Sequence, residues 1–161
     1  MDTAALPPTT GRAGAPALAR PGHGALGRTT AITYGTYDLF HIGHVRLFER
    51  IKQRFDVLVV AVSTDEFNAI KGKKSVMPFV DRFEMVRACR HVDLAIAEND
   101  WAQKEHDIVA HGADGFVMGS DWSGRFDHLR ALCDVIYLPR TEGVSSTELK
   151  QCIRATAAAG A

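Results

Sequence analysis

Apolar runs and segments of helical periodicity alternate along the chain from residue 30 onward. Residues 56–63 form a near-continuous apolar run of strand length, which is typical of a strand covered on both faces. Between 41 and 54, the apolar side chains of Val45, Phe48 and Ile51 recur at helical spacing and share one face. The pattern therefore predicts strands that alternate with amphipathic helices.

Further strands are expected at 31–34, 92–97, 115–118 and 135–138, and further helices at about 64–70, 78–90, 101–111 and 126–132 and from 145 onward. This alternation predicts an α/β fold, a Rossmann-like parallel sheet of about five strands with helices on both faces. In such sheets ligands bind at the carboxyl ends of the strands, near the point where the strand order switches. We therefore expect the functional residues in the segments that follow the strands.

The first 29 residues differ in composition from the rest of the chain. They hold four of the six prolines and five of the fourteen glycines, and they contain no aromatic residue. Such a segment cannot bury enough apolar surface to offset its ordering entropy. We predict a disordered tail over 1–29 rather than a targeting peptide, a folded domain over 30–155 and a flexible C-terminus over 156–161.

Composition narrows the class of protein. The 161 residues are 46% hydrophobic with a formal net charge of zero, and no apolar run is long enough to cross a bilayer. The neutral charge argues against a nucleic-acid-binding surface, so neither nucleic acid binding nor membrane insertion is expected. The three cysteines are far apart and include no Cys-x-x-Cys, which disfavours a disulfide framework or a zinc site and favours the reducing cytoplasm.

The most informative segment is the turn Gly35-Thr-Tyr-Asp-Leu-Phe-His-Ile-Gly-His44, between the first predicted strand and the first helix. Glycines let backbone approach a phosphate closely, and a helix N-terminus offers free N–H groups. His41 and His44 share a helix face, where imidazoles can donate to phosphate oxygens, more strongly when protonated. The order of strand, glycine turn and helix favours triphosphate binding over a pair of solvated histidines. Asp38, in the same turn, either holds a magnesium ion or caps the helix.

Three other polar segments come after predicted strands. The basic loop Lys71-Gly-Lys-Lys74 is either solvated or, beside a phosphate site, an anion-binding loop. Ser145-x-x-Glu148 matches a capping box, and the guanidinium of Arg140 just before it can bind a phosphate through two hydrogen bonds. Asp121 is either a turn residue or an acceptor for ribose hydroxyls or a base amino group.

These segments together resemble the glycerol-3-phosphate cytidylyltransferases, a family within the nucleotidyltransferase superfamily that carries the His-x-Gly-His signature. The resemblance covers the chain from about Ile32 to Ile153. It rests on Thr33-Tyr-Gly-Thr-Tyr-Asp38, His41-Ile-Gly-His44, Ser63-Thr-Asp-Glu-Phe-Asn68 and Pro139-Arg-Thr-Glu-Gly143. The His-x-Gly-His motif marks the superfamily, whereas the last two segments indicate this family.

The resemblance implies a role for each residue at a matching position. His41, His44, Lys71 and Arg140 are expected to carry catalysis. Lys71 and Lys104 are expected to hold the phosphate of the alcohol substrate, and Asp38 is the candidate magnesium ligand. The expected nucleotide contacts are Thr36, Tyr37, His41, His44, Lys73, Asp121, Arg140, Thr141, Gly143, Ser145, Ser146 and Thr147.

The implied reaction joins CTP and sn-glycerol 3-phosphate to give CDP-glycerol and pyrophosphate, for a glycerol-phosphate cell-surface polymer. The resemblance also implies Mg²⁺ on the triphosphate and a homodimer in the cytoplasm. The acceptor phosphate has a second pKa of about 6, so it is already ionised at neutral pH and needs no general base.

Several alternatives stay open at this point. They are a different phosphorylated alcohol as acceptor (ribitol, ethanolamine or choline phosphate), an adenylyltransferase, and a non-catalytic nucleotide-sensing module. A fragment of a class I aminoacyl-tRNA synthetase has superficially similar signatures at His41-Ile-Gly-His44 and Lys71-Gly-Lys-Lys-Ser75. The short, neutral chain disfavours that alternative.

Overall fold

The computed structural model describes residues 27–159, and the predicted alternation of strands and helices is confirmed there. The strands are β1 (Thr30–Gly35), β2 (Val57–Ser63), β3 (Leu94–Glu98), β4 (Gly115–Gly119) and β5 (Asp134–Leu138). The helices are α1 (Ile42–Lys52), α2 (Asp65–Ile70), α3 (Phe79–Arg87), α4 (Gln103–Ala110) and α5 (Ser146–Ala159). Two short 3-10 helices, Ser120–Trp122 and Asp127–Ala131, separate β4 from β5.

The five strands form one parallel sheet in the order β3-β2-β1-β4-β5. From β1 the chain builds outward through β2 to β3, and then crosses back to add β4 and β5 on the other side of β1. The strand order therefore switches between β1 and β4, whose residues pair through Ile32 and Phe116. The carboxyl ends of these two strands are where a ligand is expected in such a sheet.

Helices cover both faces of the sheet, which confirms the predicted α/β fold. Alternate residues along each strand enter opposite layers of the core. One layer packs Ile32, Val59 and Phe116 against Ile108 of α4 and Leu129. The other packs Leu58, Val60 and Val117 against Phe48 and Ile51 of α1 and Val86 of α3. Because β2 is buried on both faces, its sequence is a continuous apolar run.

Residues 1–26 and 160–161 lie outside the described part of the chain, so the predicted tail stays a prediction over most of its length. At the C-terminal end of the predicted tail, the backbone N–H of Thr29 donates to Oδ2 of Asp56, at 2.8 Å. At the other end α5 continues to Ala159, beyond the predicted domain end at 155. No helix within residues 27–159 is long and apolar enough to cross a membrane.

Arg82 of α3 is a completely buried cation that the sequence pattern did not single out. Its Nη1 donates to the carbonyl oxygens of Thr36 (2.6 Å) and Ser63 (2.8 Å), and its Nε donates to that of Met77 (3.0 Å). Its Nη2 donates to Oδ1 of Asp65, at 2.7 Å. One guanidinium thus joins the turn after β1, the end of β2 and the segment before α3.

Replacing Arg82 should destabilise the fold far more than replacing an exposed arginine on the same helix. Arg82→Ala leaves three carbonyl oxygens without their donor, and each such group costs roughly 1–3 kcal/mol, so we expect a loss of about 3 kcal/mol or more. Arg87→Ala removes an exposed ion pair with Glu84 and should change the free energy of unfolding by less than about 0.5 kcal/mol. Urea unfolding of the two variants measures the difference, and equal losses would contradict the assigned role of Arg82.

Candidate active site

The turn after β1 has a strained backbone held in place by packing. Tyr37 and Leu39 have φ angles of 52° and 50°, in the left-handed region that non-glycine residues rarely adopt. The Tyr37 ring is buried and lies so close to Gly35 that a Cβ there would be 2.8 Å from its Cζ atom. The same ring contacts His44 edge-on, with centroids 5.3 Å apart. The side chain of Tyr37 therefore supports His44, and its predicted contact with a nucleotide stays a prediction.

His41 and His44 form the N-terminal cap of α1. The backbone N–H of Gly43 donates to Nδ1 of His41 (3.1 Å), and the N–H of His41 donates to Nδ1 of His44 (3.3 Å). The two rings stack with centroids 3.8 Å apart. A Cβ at Gly43 would lie 2.8 Å from Cε1 of His41, which explains the glycine between the two histidines. These capping hydrogen bonds fix both rings at the N-terminus of α1.

The caps also determine the tautomer of each ring. Because Nδ1 accepts a backbone N–H in both residues, the proton of each neutral imidazole is on Nε2. Burial, with a further contribution from His41, lowers the pKa of His44 to about 3. Burial and the nearby Arg140 also lower the pKa of His41. At neutral pH each ring therefore presents one Nε2–H donor without a positive charge.

Asp38 joins three segments around the turn. Its Oδ2 accepts from the N–H of Val76 (2.9 Å) and from Nζ of Lys150 on α5 (2.8 Å), and its Oδ1 accepts from the N–H of Met77 (3.0 Å). Although burial acts to raise it, these hydrogen bonds hold the pKa of Asp38 below its usual value. Since His41 caps α1, Asp38 does not serve as the predicted helix cap.

Lys71 and Lys104 are both buried and share the carboxylate of Glu98. Lys104 Nζ donates to Glu98 Oε1 at 2.6 Å, and Lys71 Nζ is 3.5 Å from Oε2. Lys71 also donates to Oγ of Ser63 (2.7 Å), which in turn donates to Glu98. Burial lowers the pKa of Lys71 to about 8, although Glu98 acts in the opposite direction. The two predicted acceptor lysines therefore lie together, around a carboxylate that the sequence analysis missed.

Two cavities meet at the carboxyl ends of β1 and β4. The lysine-side cavity, of about 430 Å³, is lined by Lys71, Lys104 and Glu98 among others, and the arginine-side cavity, of about 210 Å³, is lined by Arg140 and Asp121. The residues that line both are Tyr34, His44, Met118, Trp122, Ser146 and Thr147. His44 thus lies in the wall common to the two cavities.

The structure brings most of the predicted site residues to these cavities. The lysine-side cavity receives Thr36, Tyr37, Asp38, His44, Lys71, Lys73, Lys104, Ser146 and Thr147. The arginine-side cavity receives His41, His44, Asp121, Arg140, Thr141, Ser146 and Thr147. Gly143 instead lines an open groove beside Ile42, and Ser145 Oγ accepts the N–H of Glu148 (3.1 Å) as a cap of α5.

Sequence reasoning missed Glu98 and Lys150, which line the lysine-side cavity, and Asn68, which contacts two residues of its lining. Asn68 Oδ1 accepts from Oγ1 of Thr36 (2.9 Å), and its amide donates to Ser75 Oγ (3.1 Å), so it links the turn to the basic loop. Glu98 is the last residue of β3, and the rule that ligands bind at strand ends could have found it. No comparable signal marks Lys150, whose partner Asp38 is far away in the sequence.

Comparison with known proteins adds to this geometry. The chain matches the cytidylyltransferase-like family over residues 32–152. It is 53% identical over 120 residues to a glycerol-3-phosphate cytidylyltransferase of Bacillus subtilis (strain 168), covering 74% of this chain and 93% of that protein. For the enzyme of the same name from Staphylococcus aureus (strain NCTC 8325 / PS 47), the identity is 54% over 120 residues, and the match covers 74% of this chain and 91% of that protein.

A solved structure is similar in fold. It is the lipopolysaccharide core biosynthesis protein of Thermoplasma volcanium GSS1, with a TM-score of 0.62 and 19% identity. The match covers 72% of this chain and 100% of that one. At this identity the likeness concerns the fold alone.

The protonation state of His44 predicts how stability depends on pH. The ring is neutral when folded, whereas in the unfolded chain it binds a proton with a pKa of about 6.5. Its contribution to stability is therefore present above about pH 6.5 and is lost as the pH falls toward 3. Between about pH 7.5 and about pH 5, the free energy of unfolding should fall more for the wild type than for His44→Gln.

Urea unfolding at the two pH values measures this difference. His128→Gln, which removes an exposed imidazole in the second 3-10 helix, is the matched control and should lose as much stability as the wild type does. An equal fall for the wild type and His44→Gln would show that His44 has the same pKa in the folded protein as in the unfolded chain.

Proposed function

This chain belongs to the cytidylyltransferase-like family and, within it, to the glycerol-3-phosphate cytidylyltransferases, and we propose that its cleft joins CTP and sn-glycerol 3-phosphate to give CDP-glycerol and pyrophosphate. The observation that carries the assignment of the site is the position of His44. Its ring lies between a cavity lined with lysines and a cavity lined with Arg140. Two phosphate-bearing substrates placed in the two cavities would bring their phosphates together at this ring.

The lysine-side cavity suits the acceptor. Its lining holds five lysines and two carboxylates, so it attracts an anion. The faces of its aromatic rings are already next to protein cations: Lys104 Nζ lies 4.5 Å from the Tyr34 ring centroid and 4.9 Å from that of Trp101. An acceptor with its own ammonium group would meet these charges in place of free aromatic faces. This favours the phosphate of a polyol, which has no ammonium group, over ethanolamine or choline phosphate.

The arginine-side cavity suits the nucleotide. Arg140 and Thr141 from the segment after β5 line it together with His41 and Asp121. Ser146 at the start of α5 donates to the carbonyl of Asp38 (2.8 Å) and lies 3.3 Å from Nε2 of His41. The contacts of Ser146 hold α5 against the turn, and the guanidinium of Arg140, the hydroxyl of Thr141 and the imidazole of His44 provide donors around the space where a triphosphate would lie.

In the proposed step, an oxygen of the acceptor phosphate attacks the α-phosphorus of CTP. The new P–O bond forms as the bond to the β-phosphate oxygen breaks, and pyrophosphate leaves with the electron pair of that bond. The acceptor oxygen is already ionised at neutral pH, so no base has to remove a proton. Catalysis then depends on alignment by Lys71 and Lys104 and on Nε2–H donation from His41 and His44 to phosphate oxygens that gain charge.

The described side chains offer a magnesium ion fewer free ligands than the phosphates of the substrate do. Both carboxylate oxygens of Asp38, the predicted ligand, already accept hydrogen bonds from backbone N–H groups or Lys150. Within residues 27–159 no group of three or more histidine, cysteine or acidic side chains is arranged to hold a metal ion. Mg²⁺ commonly keeps several waters and binds through substrate phosphates. We therefore propose that any magnesium requirement is met by the metal complex of CTP.

Three further expectations are proposals of the same kind. A homodimer follows from the family resemblance, and sedimentation would test it. A cytoplasmic location is supported by the cysteines Cys89, Cys133 and Cys152, which are free thiols in the described chain. The product would supply a glycerol-phosphate polymer of the cell surface.

Pyrophosphate release in the presence of magnesium tests the reaction directly. CTP, ATP, UTP and GTP are each combined with glycerol 3-phosphate, ribitol 5-phosphate, phosphoethanolamine and phosphocholine. We expect release only with CTP and glycerol 3-phosphate. Release with CTP and a different acceptor would keep the mechanism and change the substrate. A folded protein inactive with every pair would favour the nucleotide-sensing alternative.

Removing the shared histidine should slow the chemical step. His44→Ala loses one preorganised donor to the reacting phosphates, and we expect kcat to fall by about 10²–10³-fold. The matched control His106→Ala, on the exposed side of α4, should keep wild-type kcat. Near-normal turnover by folded His44→Ala would refute the role of His44.

A further inference from the structure

We propose that Glu98 is a positioning residue of the acceptor site, whose carboxylate holds Lys71 and Lys104 together, charged and aimed into the lysine-side cavity. This inference rests on the proposed function, in which those two lysines bind the acceptor phosphate. In this role Glu98 acts through the two lysines and does not itself contact the reacting atoms.

The geometry places one carboxylate between two cations. Each oxygen of Glu98 faces a different lysine: Oε1 accepts from Lys104 at 2.6 Å, and Oε2 lies 3.5 Å from Lys71. The side chains of all three residues are less than a tenth exposed. They come from β3, α4 and the residue that follows α2, so the carboxylate ties together three separate elements.

The surroundings explain why the lysines need this partner. Lys71 faces Lys104, Lys73, the hydroxyl of Ser63 and the Phe67 ring, whose centroid is 4.3 Å from its Nζ. Burial and neighbouring cations both favour loss of a proton from a buried ammonium group. For Lys71, the negative charge of Glu98 opposes both effects and favours the protonated ammonium form. Without it, the site would lose positive charge in the pH range where it has to bind a phosphate.

The charges and donors of the group also match a phosphate. Two ammonium groups and one carboxylate leave a net charge of +1 before the acceptor arrives, and the acceptor phosphate adds about −1.5 to −2. Each ammonium group has three N–H donors. Lys104 uses one of them on Glu98, and Lys71 has bonds to Ser63 and Glu98. Donors therefore remain on both lysines for phosphate oxygens.

A purely structural role would explain the group less well. Buried ion pairs are often no more stabilising than well-packed apolar residues of similar volume, because desolvation offsets the attraction. These three side chains line a cavity instead of filling the core. Buried charge kept in a cavity wall is typical of a functional site.

The decisive variant is Glu98→Gln, which keeps the shape of the side chain and removes its charge. We expect the KM for glycerol 3-phosphate to rise by about tenfold or more at neutral pH, with the KM for CTP within about twofold of wild type. The alkaline limb of kcat/KM for glycerol 3-phosphate should move to lower pH, because Lys71 loses its proton more readily without Glu98. A structural defect alone would not shift that limb.

Three further variants make the result specific. Glu105→Gln makes the same charge change at an exposed position next to Lys104 and should leave both KM values unchanged. Glu98→Asp keeps the charge but draws it back from the lysines, so it should raise the acceptor KM less than Glu98→Gln does. Lys104→Ala tests the proposed site itself and should raise the acceptor KM.

The outcomes separate the inference from the function on which it rests. If Lys104→Ala raises the acceptor KM and folded Glu98→Gln keeps the wild-type KM and alkaline limb, the role of Glu98 is refuted and the proposed site stands. If neither variant changes the acceptor KM, the acceptor site lies elsewhere and both fail. If circular dichroism shows that Glu98→Gln does not fold, Glu98→Asp decides: a wild-type acceptor KM would overturn the inference, and a raised one with unchanged CTP KM would support it.

Discussion

The cleft depends on the high free-energy cost of burying a charge without a partner. Five charged side chains are buried around the carboxyl ends of β1, β2 and β3, and each is paired: Arg82 with three carbonyls and Asp65, Asp38 with Lys150, and Lys71 and Lys104 with Glu98. Because a buried charge left alone is strongly destabilising, each pairing restricts where its element can lie. The turn after β1, the basic loop, α4 and α5 are therefore held around one space by electrostatics as well as by apolar packing.

Neutral and charged donors have different positions in that space: the lysines line one cavity, Arg140 lines the other, and His44 lies in the wall between them. The histidines are neutral because burial disfavours their charged forms, and their backbone caps leave Nε2–H as the donor. The lysines keep positive charge beside Glu98 on the other side of His44. Neutral donors can stabilise negative charge that develops during a reaction without binding the ground-state anion too tightly. Fixed cations instead bind an anion that is already charged when it enters the site. The arrangement fits a reaction in which an oxygen of a bound phosphate attacks the phosphorus atom of a second phosphate.

The fold could be predicted because its signals are local. A strand covered on both faces is apolar throughout, as β2 is, and the glycines at 35 and 43 mark places where a ring lies against the backbone. The roles of Asp38 and Arg82 could not be predicted, because their partners are distant in the sequence: Asp38 accepts from Met77 and Lys150, and Arg82 donates to Thr36. Arg82 and Arg87 lie on one helix and look alike in the sequence, yet one is completely buried and the other is exposed.

The missed residue Glu98 shows what a topological argument can add to motifs. Motifs drew attention to the segments after the first, second, fourth and fifth strands, and the end of β3 has no glycine turn or cluster of like charges. The parallel sheet nevertheless brings all five carboxyl ends to one edge, and Ser63 at the end of β2 pairs in register with Glu98 at the end of β3. That register places the Ser63 hydroxyl and the Glu98 carboxylate side by side under Lys71. The acceptor side of the cleft is therefore built from the pairing of two strands, which no single segment of the sequence contains.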